Sequence, residues 1–321
     1  MARTDGTIAH TIAELLGVLL SMLYIWLQEI VFLFVRRPRK NVEAKIVLLT
    51  GAGHGIGRLI VRRFAKLGAS CVLVDINQES NEATAAELRA EGHQVWAFQC
   101  DVSSQEAVGD LRQRVQQEVG FVDILINNAG VVNCKEIGEI EPARIRKTFG
   151  VNTFAHIWMI REFLPSMKER KTGHIVAISS VAGIIGTAYL TDYCSSKFAV
   201  RGLMMALAEE LYTQGFDKKI HLTTICPVAI NTGMFQAPYT RFAWATPILE
   251  PDTAADGVVE AILTNQVEVF LPGYIGTIHR VANGFVPQRA LAVLQRFFGY
   301  GVGPHKEVAG GAQPGSAKKE L

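Results

Sequence analysis

Between residues 45 and 271 the chain repeats one pattern seven times: a short, nearly unbroken apolar run followed by a longer, more polar stretch. The runs are KIVLLT (45–50), CVLVD (71–75), VWAFQ (95–99), VDILIN (122–127), HIVAIS (174–179), HLTTIC (221–226) and VEVFL (267–271). A strand with one wet face alternates apolar and polar residues, so runs this continuous need burial on both faces. A parallel sheet covered by helices supplies that burial. The segments 80–91, 104–119, 141–170 and 192–212 are long enough to be its crossover helices. The repeat predicts an α/β, doubly wound parallel sheet with helices on both faces, confined to residues 41–272.

The first run leads straight into TGAGHGIG (50–57), and the helical stretch RLIVRRFAKLG follows its Gly51, Gly55 and Gly57. Glycines there let the turn close and let backbone N–H groups approach a pyrophosphate at a helix N-terminus. That makes the predicted sheet Rossmann-like. Asp75 ends the second run, eighteen residues beyond Gly57. A carboxylate in that place accepts hydrogen bonds from the adenosine ribose and repels a 2′-phosphate, so NAD is expected over NADP. The competing reading is a strand-end turn residue. His54, beside the turn, works the other way, because an imidazole helps to hold a phosphate.

In LTDYCSSKF (190–198), Tyr193 and Lys197 stand four residues apart and share one helix face. An ammonium beside a phenol favours the phenolate and is expected to lower the phenol's pKa from about 10. Tyr193 then becomes an acid/base for a hydroxyl or a carbonyl. A chance surface pair is the alternative. Ser180 argues against it, since it ends the fifth run thirteen residues earlier, where open α/β sheets bind ligands.

With 49% hydrophobic residues and a mean hydropathy of +0.20, the chain has more apolar content than a sheet enzyme needs. Much of the excess is LLGVLLSMLYIWLQEIVFLFV, residues 15–35. As a helix it is about 31 Å long, enough to cross a hydrocarbon core. Its bulky end does not suit a signal-peptide cleavage site. His10, Glu14, Gly17, Ser21, Tyr24 and Gln28 recur at spacings of three and four and form one polar or small seam. That seam would serve a partner helix, or a helix lying in the interface. RRPRK (36–40) and Lys45 follow, while Arg3 and Asp5 precede, so the positive-inside bias keeps the rest of the chain cytosolic. Residues 1–40 are thus a membrane anchor with a basic flank. Cys71, Cys100, Cys134, Cys194 and Cys226 show no CxxC spacing and are expected to be buried, reduced thiols. A net charge of +2 without a basic block interleaved with aromatics makes nucleic acid an unexpected partner.

TGAGHGIG, NNAG (127–130), the Ser179–Ser180 pair and YCSSK (193–197) together resemble the short-chain dehydrogenase/reductase family over residues 44–272. YCSSKFAVRG, TTICPVAINTGMF and PILEPDTAADGVVEAIL, with the N-terminal anchor, are most similar to its membrane-anchored branch of epidermal retinol and lipid-droplet hydroxysteroid dehydrogenases. The resemblance implies that Tyr193 moves the proton and that Ser180 hydrogen-bonds the reacting oxygen. It implies that Lys197 binds the nicotinamide ribose, and that Asn152 holds a water extending the proton relay. Gly51, Gly55, Ile56 and Gly57 would surround the pyrophosphate, Asp75 the ribose, and Asp101 with Val102 the adenine. Asn128 would stabilise the sheet near the cofactor, and Thr232 would meet the carboxamide. The chain departs from the family at Pro227-Val228, where Pro-Gly is usual, which puts that loop's shape in question.

After the sixth run, GMFQAPYTRFAWATP (233–247) carries Met234, Phe235, Tyr239, Phe242 and Trp244 with Arg241 as its only charge. GIIGTAYL (183–190) carries none. Such a lining suits a lipophilic alcohol, with Met234 and Phe235 as substrate contacts. All-trans-retinol to retinal is the first expectation, a 17β-hydroxysteroid or other lipid alcohol the second. A scaffold with little catalysis is the reading of a different class. Residues 273–306 mix apolar and basic positions as an amphipathic segment, for lipid, a pocket or a second copy of the chain. The Gly/Pro/Ser-rich 307–321 is expected to be a disordered tail. Its SAKKEL end resembles a dilysine retrieval signal through Lys318 and Lys319, and more faintly a luminal KDEL-type ending. The cytosolic orientation selects the former. The expected location is the endoplasmic-reticulum membrane with a cytosolic catalytic domain, together with lipid droplets.

Overall fold

All seven apolar runs become strands of one sheet in the computed structural model, which describes residues 8–32, 34–235 and 238–304. They are β1 (Ile46–Thr50), β2 (Ser70–Asp75), β3 (Val95–Gln99), β4 (Ile124–Asn127), β5 (Gly173–Ile178), β6 (Ile220–Pro227) and, after the short β7 (Pro238–Thr240), β8 (Glu268–Leu271). The order is β3-β2-β1-β4-β5-β6-β8, and every neighbouring pair is parallel. From β1 the chain builds outward to β3, then returns and builds the other way from β4. The switch point therefore lies between β1 and β4, where open α/β sheets bind ligands.

Burial on both faces is what the strands show. Val47 and Leu49 of β1 point into one core, with Ile60 and Phe64 of α2 (Gly55–Lys66), Leu88 of α3 (Gln78–Ala90) and Val258 and Ile262 of α8 (Pro251–Leu263). Leu48, between them, points into the other core. There it meets Leu111 of α4 (Gln105–Glu118), Met159 and Phe163 of α6 (Ala155–Arg170), and Met204 and Leu207 of α7 (Thr191–Thr213). The period-two side-chain alternation of β1 thus assigns three helices to each face.

The stretch 141–170 is helical throughout, with a π-turn over Gly150–Phe154 joining α5 (Pro142–Phe149) to α6. Asn152 sits in that widened turn. Its side-chain oxygen accepts from the Val131 N–H at 2.8 Å, and its amide donates to the Val131 carbonyl at 2.9 Å and the Ser196 hydroxyl at 3.1 Å. Widened turns of this kind commonly mark functional sites.

The chain divides into two compact units, Met1–Lys40 and Asn41–Leu321. In the first, α1 (Ile8–Val31) is, among the described residues, the one helix long and apolar enough to cross a membrane. Its polar seam is internally paired: Ser21 donates to the Gly17 carbonyl, Gln28 to the Tyr24 hydroxyl, and His10 lies 3.5 Å from Glu14. Satisfying polar groups along the helix itself reduces the cost of an apolar environment. In the second unit, 273–304 forms α9 (Gly273–Phe285), α10 (Gln288–Phe298) and β9 (Tyr300–Val302), the last paired antiparallel with β7. The 307–321 tail and its SAKKEL end, like Arg3 and Asp5, lie outside the described residues.

All five cysteines are free and buried, and none bridges another. Burial pushes the thiols of Cys71, Cys134 and Cys226 up to about 12 and that of Cys100 to about 11. A thiol that stays protonated is a poor nucleophile. Titration of the native protein with a chromogenic disulfide at about pH 8 should therefore detect almost no reactive thiol. All five should react once denaturant is added. Rapid reaction in the native state would contradict the packing around them.

Candidate active site

The site is assembled at the carboxyl ends of β1, β4, β5 and β6. β1 ends at Thr50, and the chain turns through Gly51 (φ +71°) and Gly55 (φ +56°) before α2 begins. Both angles lie in the left-handed region that glycine tolerates without strain. At Gly57 the reason for glycine is contact: a Cβ there would stand 2.0 Å from the Gly51 carbonyl oxygen and 2.9 Å from the Asn128 amide nitrogen. His54, the N-cap of α2, contributes no side-chain capping bond, leaving first-turn N–H groups available to an anion. Ile56 sits partly buried in that turn, packed against the α2-side core.

Asp75, at the end of β2, is fixed beside the turn. One carboxylate oxygen accepts from the Gly53 N–H at 2.9 Å and the other from the Asn77 N–H at 2.9 Å. Asn128 clasps β4 to β1, donating from its amide to the carbonyls of Thr50 at 2.9 Å and Gly51 at 3.2 Å. That agrees with its expected sheet-stabilising role. The Asp101 carboxylate accepts from the Ser103 N–H and hydroxyl, while Val102 is buried in the second core. A Cβ placed on Gly55 would stand 3.7 Å from the Thr232 side chain, so Thr232 borders the turn from the β6 side. A glycine cradle, an open helix start and a fixed acid at a switch point fit a dinucleotide.

The acid/base groups lie across β5 and β6. Tyr193 and Lys197 sit on one face of α7 and are 5% and 3% exposed, so they are no surface pair. The Lys197 ammonium is 5.6 Å from the Tyr193 ring centroid and donates to the Ile178 carbonyl at 2.9 Å. Ser180 lies beside the Tyr193 phenol and favours its ionised form. The serine is held by the Ala182 N–H at 3.1 Å and by the Pro227 carbonyl at 3.3 Å. Asn152 is fully buried nearby, but its amide is occupied by Val131 and Ser196. These bonds fix the side chain between the loop after β4 and α7.

One electrostatic expectation is reversed. Burial pushes the Tyr193 phenol above its ordinary value, and Ser180 only partly pulls it back. The same burial lowers Lys197 to about 8. At this separation, loss of water around both groups outweighs the attraction expected from their spacing.

Phe235 meets the Tyr193 ring edge-on at 5.8 Å, in a cluster with Cys134, Ala182, Leu190 and Val302. Met234 is 39% exposed and stands outside that cluster. Phe242 and Trp244 do not line the site either. Phe242 packs on Phe297 and Phe298, and Trp244 is 78% exposed. At Pro227-Val228 the missing glycine causes no strain, because Val228 avoids positive φ and buries its side chain beside Ile184, Cys226 and Phe270.

Several site residues had no sequence signal. Val302 of β9 reaches the Tyr193 cluster, and the Tyr300 hydroxyl accepts from the Ala229 N–H at 2.8 Å, so the C-terminal ribbon packs against the Tyr193 side of the site. Asp192, buried next to Tyr193, accepts from Asn133 at 2.6 Å and Thr148 at 2.9 Å. It ties the start of α7 to α5 and to the loop after β4. Arg201 links the Gly183 carbonyl to Glu268 and so steadies the Ser180 turn. An acid beside the YxxxK tyrosine was the only legible hint among these. The cleft lined by Arg112, Phe121, Arg161 and Glu162 lies by the start of β4, at the opposite end of the sheet, and takes no part.

Comparison with known proteins agrees with this geometry. A family profile described as short chain dehydrogenase matches residues 45–241. The chain is 42% identical over 287 residues to human 17-beta-hydroxysteroid dehydrogenase 13, covering 89% of this chain and 94% of that protein. It is 42% identical over 253 residues to mouse epidermal retinol dehydrogenase 2, covering 78% and 81%. Among solved structures it is similar to a short chain dehydrogenase/reductase from Burkholderia phymatum in complex with NAD. There the TM-score is 0.69 at 26% identity, over 84% of this chain and 99% of the other. A metagenomic short-chain oxidoreductase in complex with NADP matches with a TM-score of 0.61 at 30% identity, over 72% and 97%. With a matching profile across most of the sheet and the Ser180–Tyr193–Lys197 set at its carboxyl edge, the chain belongs to the short-chain dehydrogenase family.

Proposed function

We propose that the protein is an NAD-dependent dehydrogenase of a lipophilic alcohol, with all-trans-retinol to retinal as the first substrate and a 17β-hydroxysteroid as the alternative. One observation carries the reading: Tyr193 packs with Phe235, Leu190, Ala182 and Val302, with Ser180 beside its phenol and the Lys197 ammonium 5.6 Å from its ring. Oriented hydroxyls in an otherwise apolar pocket suit an apolar ligand with one reacting oxygen. The steroid alternative has support in the names of the relatives, which include both retinol and steroid dehydrogenases.

A bound nicotinamide dinucleotide supplies the hydride exchange, and the residues that would hold it are the glycine turn, Asp75, Lys197 and Thr232. The protein's own contribution is to orient and to move a proton. Ser180 donates a hydrogen bond to the reacting oxygen, and Tyr193 takes the alcohol's proton, or returns it to the carbonyl in the reverse direction. The apolar cover excludes water from this exchange. The carboxylate of Asp75 supports NAD, because a 2′-phosphate would meet like charge. The apolar α1 and the basic flank after it support residence in the endoplasmic-reticulum membrane, also on lipid droplets, with the catalytic domain in the cytosol. Phe198, Met205 and Tyr212, exposed at intervals of seven along α7, support a homodimer.

Tyr193→Phe removes one hydroxyl and should cut turnover of retinol at least about a hundredfold while NAD still binds, read by single-turnover kinetics and cofactor fluorescence. More than a few per cent of activity left would refute the assignment. The raised phenol sets the pH dependence. Oxidation needs the phenolate, so its rate should climb from about pH 7 to about pH 9, whereas reduction uses the phenol and should stay nearly level. Matching profiles in both directions would contradict the Tyr193 role. Wild type should use NAD far better than NADP, and Asp75→Ala should narrow the ratio of their kcat/KM values. Equal use by the wild type would overturn the cofactor reading. Residues 1–40 fused to a soluble reporter should remain in the membrane pellet after carbonate washing, and release would refute the anchor.

A further inference from the structure

The helices that follow the sheet present their apolar sides outward. On α9, Tyr274, Ile278, Val281 and Phe285 recur at steps of four, three and four and are 41%, 59%, 56% and 85% exposed. At 100° per residue they form one stripe. The roughly opposite side carries Gly276, against Phe270, and His279, which faces a cleft towards Phe198 and Arg201 of α7. α10 repeats the arrangement. Leu291, Ala292 and Gln295 line the same cleft, while Val293, Leu294 and Phe297 lie on the other side at 65%, 41% and 53% exposed. Exposed Trp244 joins this surface, since Phe242 packs on both Trp244 and Phe297, and the Tyr274 hydroxyl donates to the Ala245 carbonyl. A helix on a water-facing surface points polar residues outward; these two do the reverse.

The charges around the stripe have one sign. Residues 273–304 include Arg280, Arg289 and Arg296 and no Asp or Glu, and 231–249 adds Arg241, again without an acid. Arg280 pairs with Glu268, whereas Arg289 and Arg296 make no ion pair among the described residues. On α10 both arginines flank the apolar stripe. An apolar stripe edged by unpaired arginines is the composition of a helix seated at a lipid–water interface. A second copy of the chain would bring the same arginines face to face, so a symmetric dimer through this surface is opposed by like charge.

We infer that the outward faces of α9 and α10, with the Trp244 loop, dock the catalytic unit onto an anionic phospholipid surface. This rests on the reading of α1 as a membrane anchor, which keeps the domain close to lipid and raises the effective concentration of a weak second contact. The consequence for catalysis follows from connectivity. Only Gly299 separates α10 from β9, and β9 carries Val302 into the Tyr193 cluster. The docked surface and the catalytic pocket thus share one strand, which suits a substrate that arrives from the lipid.

The test uses the full chain in phosphatidylcholine vesicles with and without phosphatidylserine. An environment-sensitive fluorophore is attached at Phe285→Cys, at Val293→Cys, or at Lys218→Cys near the start of β6, at the opposite end of the sheet; the native thiols are buried. Brominated lipid should quench most of the emission at 285 and 293, more so with phosphatidylserine, and leave 218 unchanged. Flotation of the protein with vesicles while 285 and 293 behave like 218 overturns the docking surface and leaves the anchor standing. An apolar but lipid-insensitive signal at 285 and 293 means a second copy covers the face and also overturns it. Failure to float removes the anchor, and the inference falls with it. In an independent arm, Phe285→Glu combined with Val293→Glu should lower turnover of a vesicle-borne alcohol several-fold while turnover of a short water-soluble alcohol is retained. Equal effects on both substrates would count against docking.

Discussion

A lysine ammonium and a tyrosine phenol buried side by side are the constraint around which the site is arranged. Lys197 has lost nearly all contact with water, and its fall from 10.5 to about 8 is worth roughly 3 kcal/mol against the charged form. Its amine nevertheless donates to one fixed acceptor, the Ile178 carbonyl at the end of β5. A second hydrogen bond, from Ser179 to the Lys197 carbonyl, anchors the same turn of α7 to the same strand end. Such a pair persists only where the surroundings are rigid, and a parallel sheet covered on both faces supplies that rigidity. The raised phenol and the lowered amine are both consequences of dehydration. They hold the phenol protonated and bring the Lys197 amine close to its titration range.

The same sheet explains why cofactor and substrate functions meet. Strand order reverses between β1 and β4, so the loops after these strands diverge and leave a crevice. Asn128 bridges that crevice by bonding to Thr50 and Gly51, and the Thr50 hydroxyl in turn accepts from the N–H groups of Asn128 and Ala129. On the substrate side, Asp192 and Arg201 do the corresponding work on α7, joining the catalytic helix to α5, to the Ser180 turn and to β8. Each is a buried or half-buried charge with more than one partner. Local rigidity comes at the cost of desolvating them, which polar partners offset.

Much of this was legible before any coordinates. Seven apolar runs became seven paired strands, with ends displaced by at most two residues because β-ladder pairing, not composition, sets where a strand stops. TGAGHGIG and YCSSK found their places at the sheet's edge because their chemistry demands a strand before and a helix after. Two expectations went differently for one physical reason. The phenol's pKa is governed by burial rather than by its neighbour in the register. Phe242 and Trp244 belong to the α10 side of the molecule, not to the pocket. Each turns on contacts between residues distant in sequence.

The sequence by itself determined what short-range rules can carry. Periodicity set the fold class, glycines and Asp75 set a dinucleotide turn, and a four-residue spacing put Tyr193 and Lys197 on one helix face. Only the tertiary structure decided that β9, more than a hundred residues after Tyr193, packs against the same site, and that α9 and α10 turn their apolar sides outward. Helical amphipathicity reveals that a face exists, but not which neighbour claims it. That choice belongs to packing, because burial is shared among elements whose proximity is created by the fold.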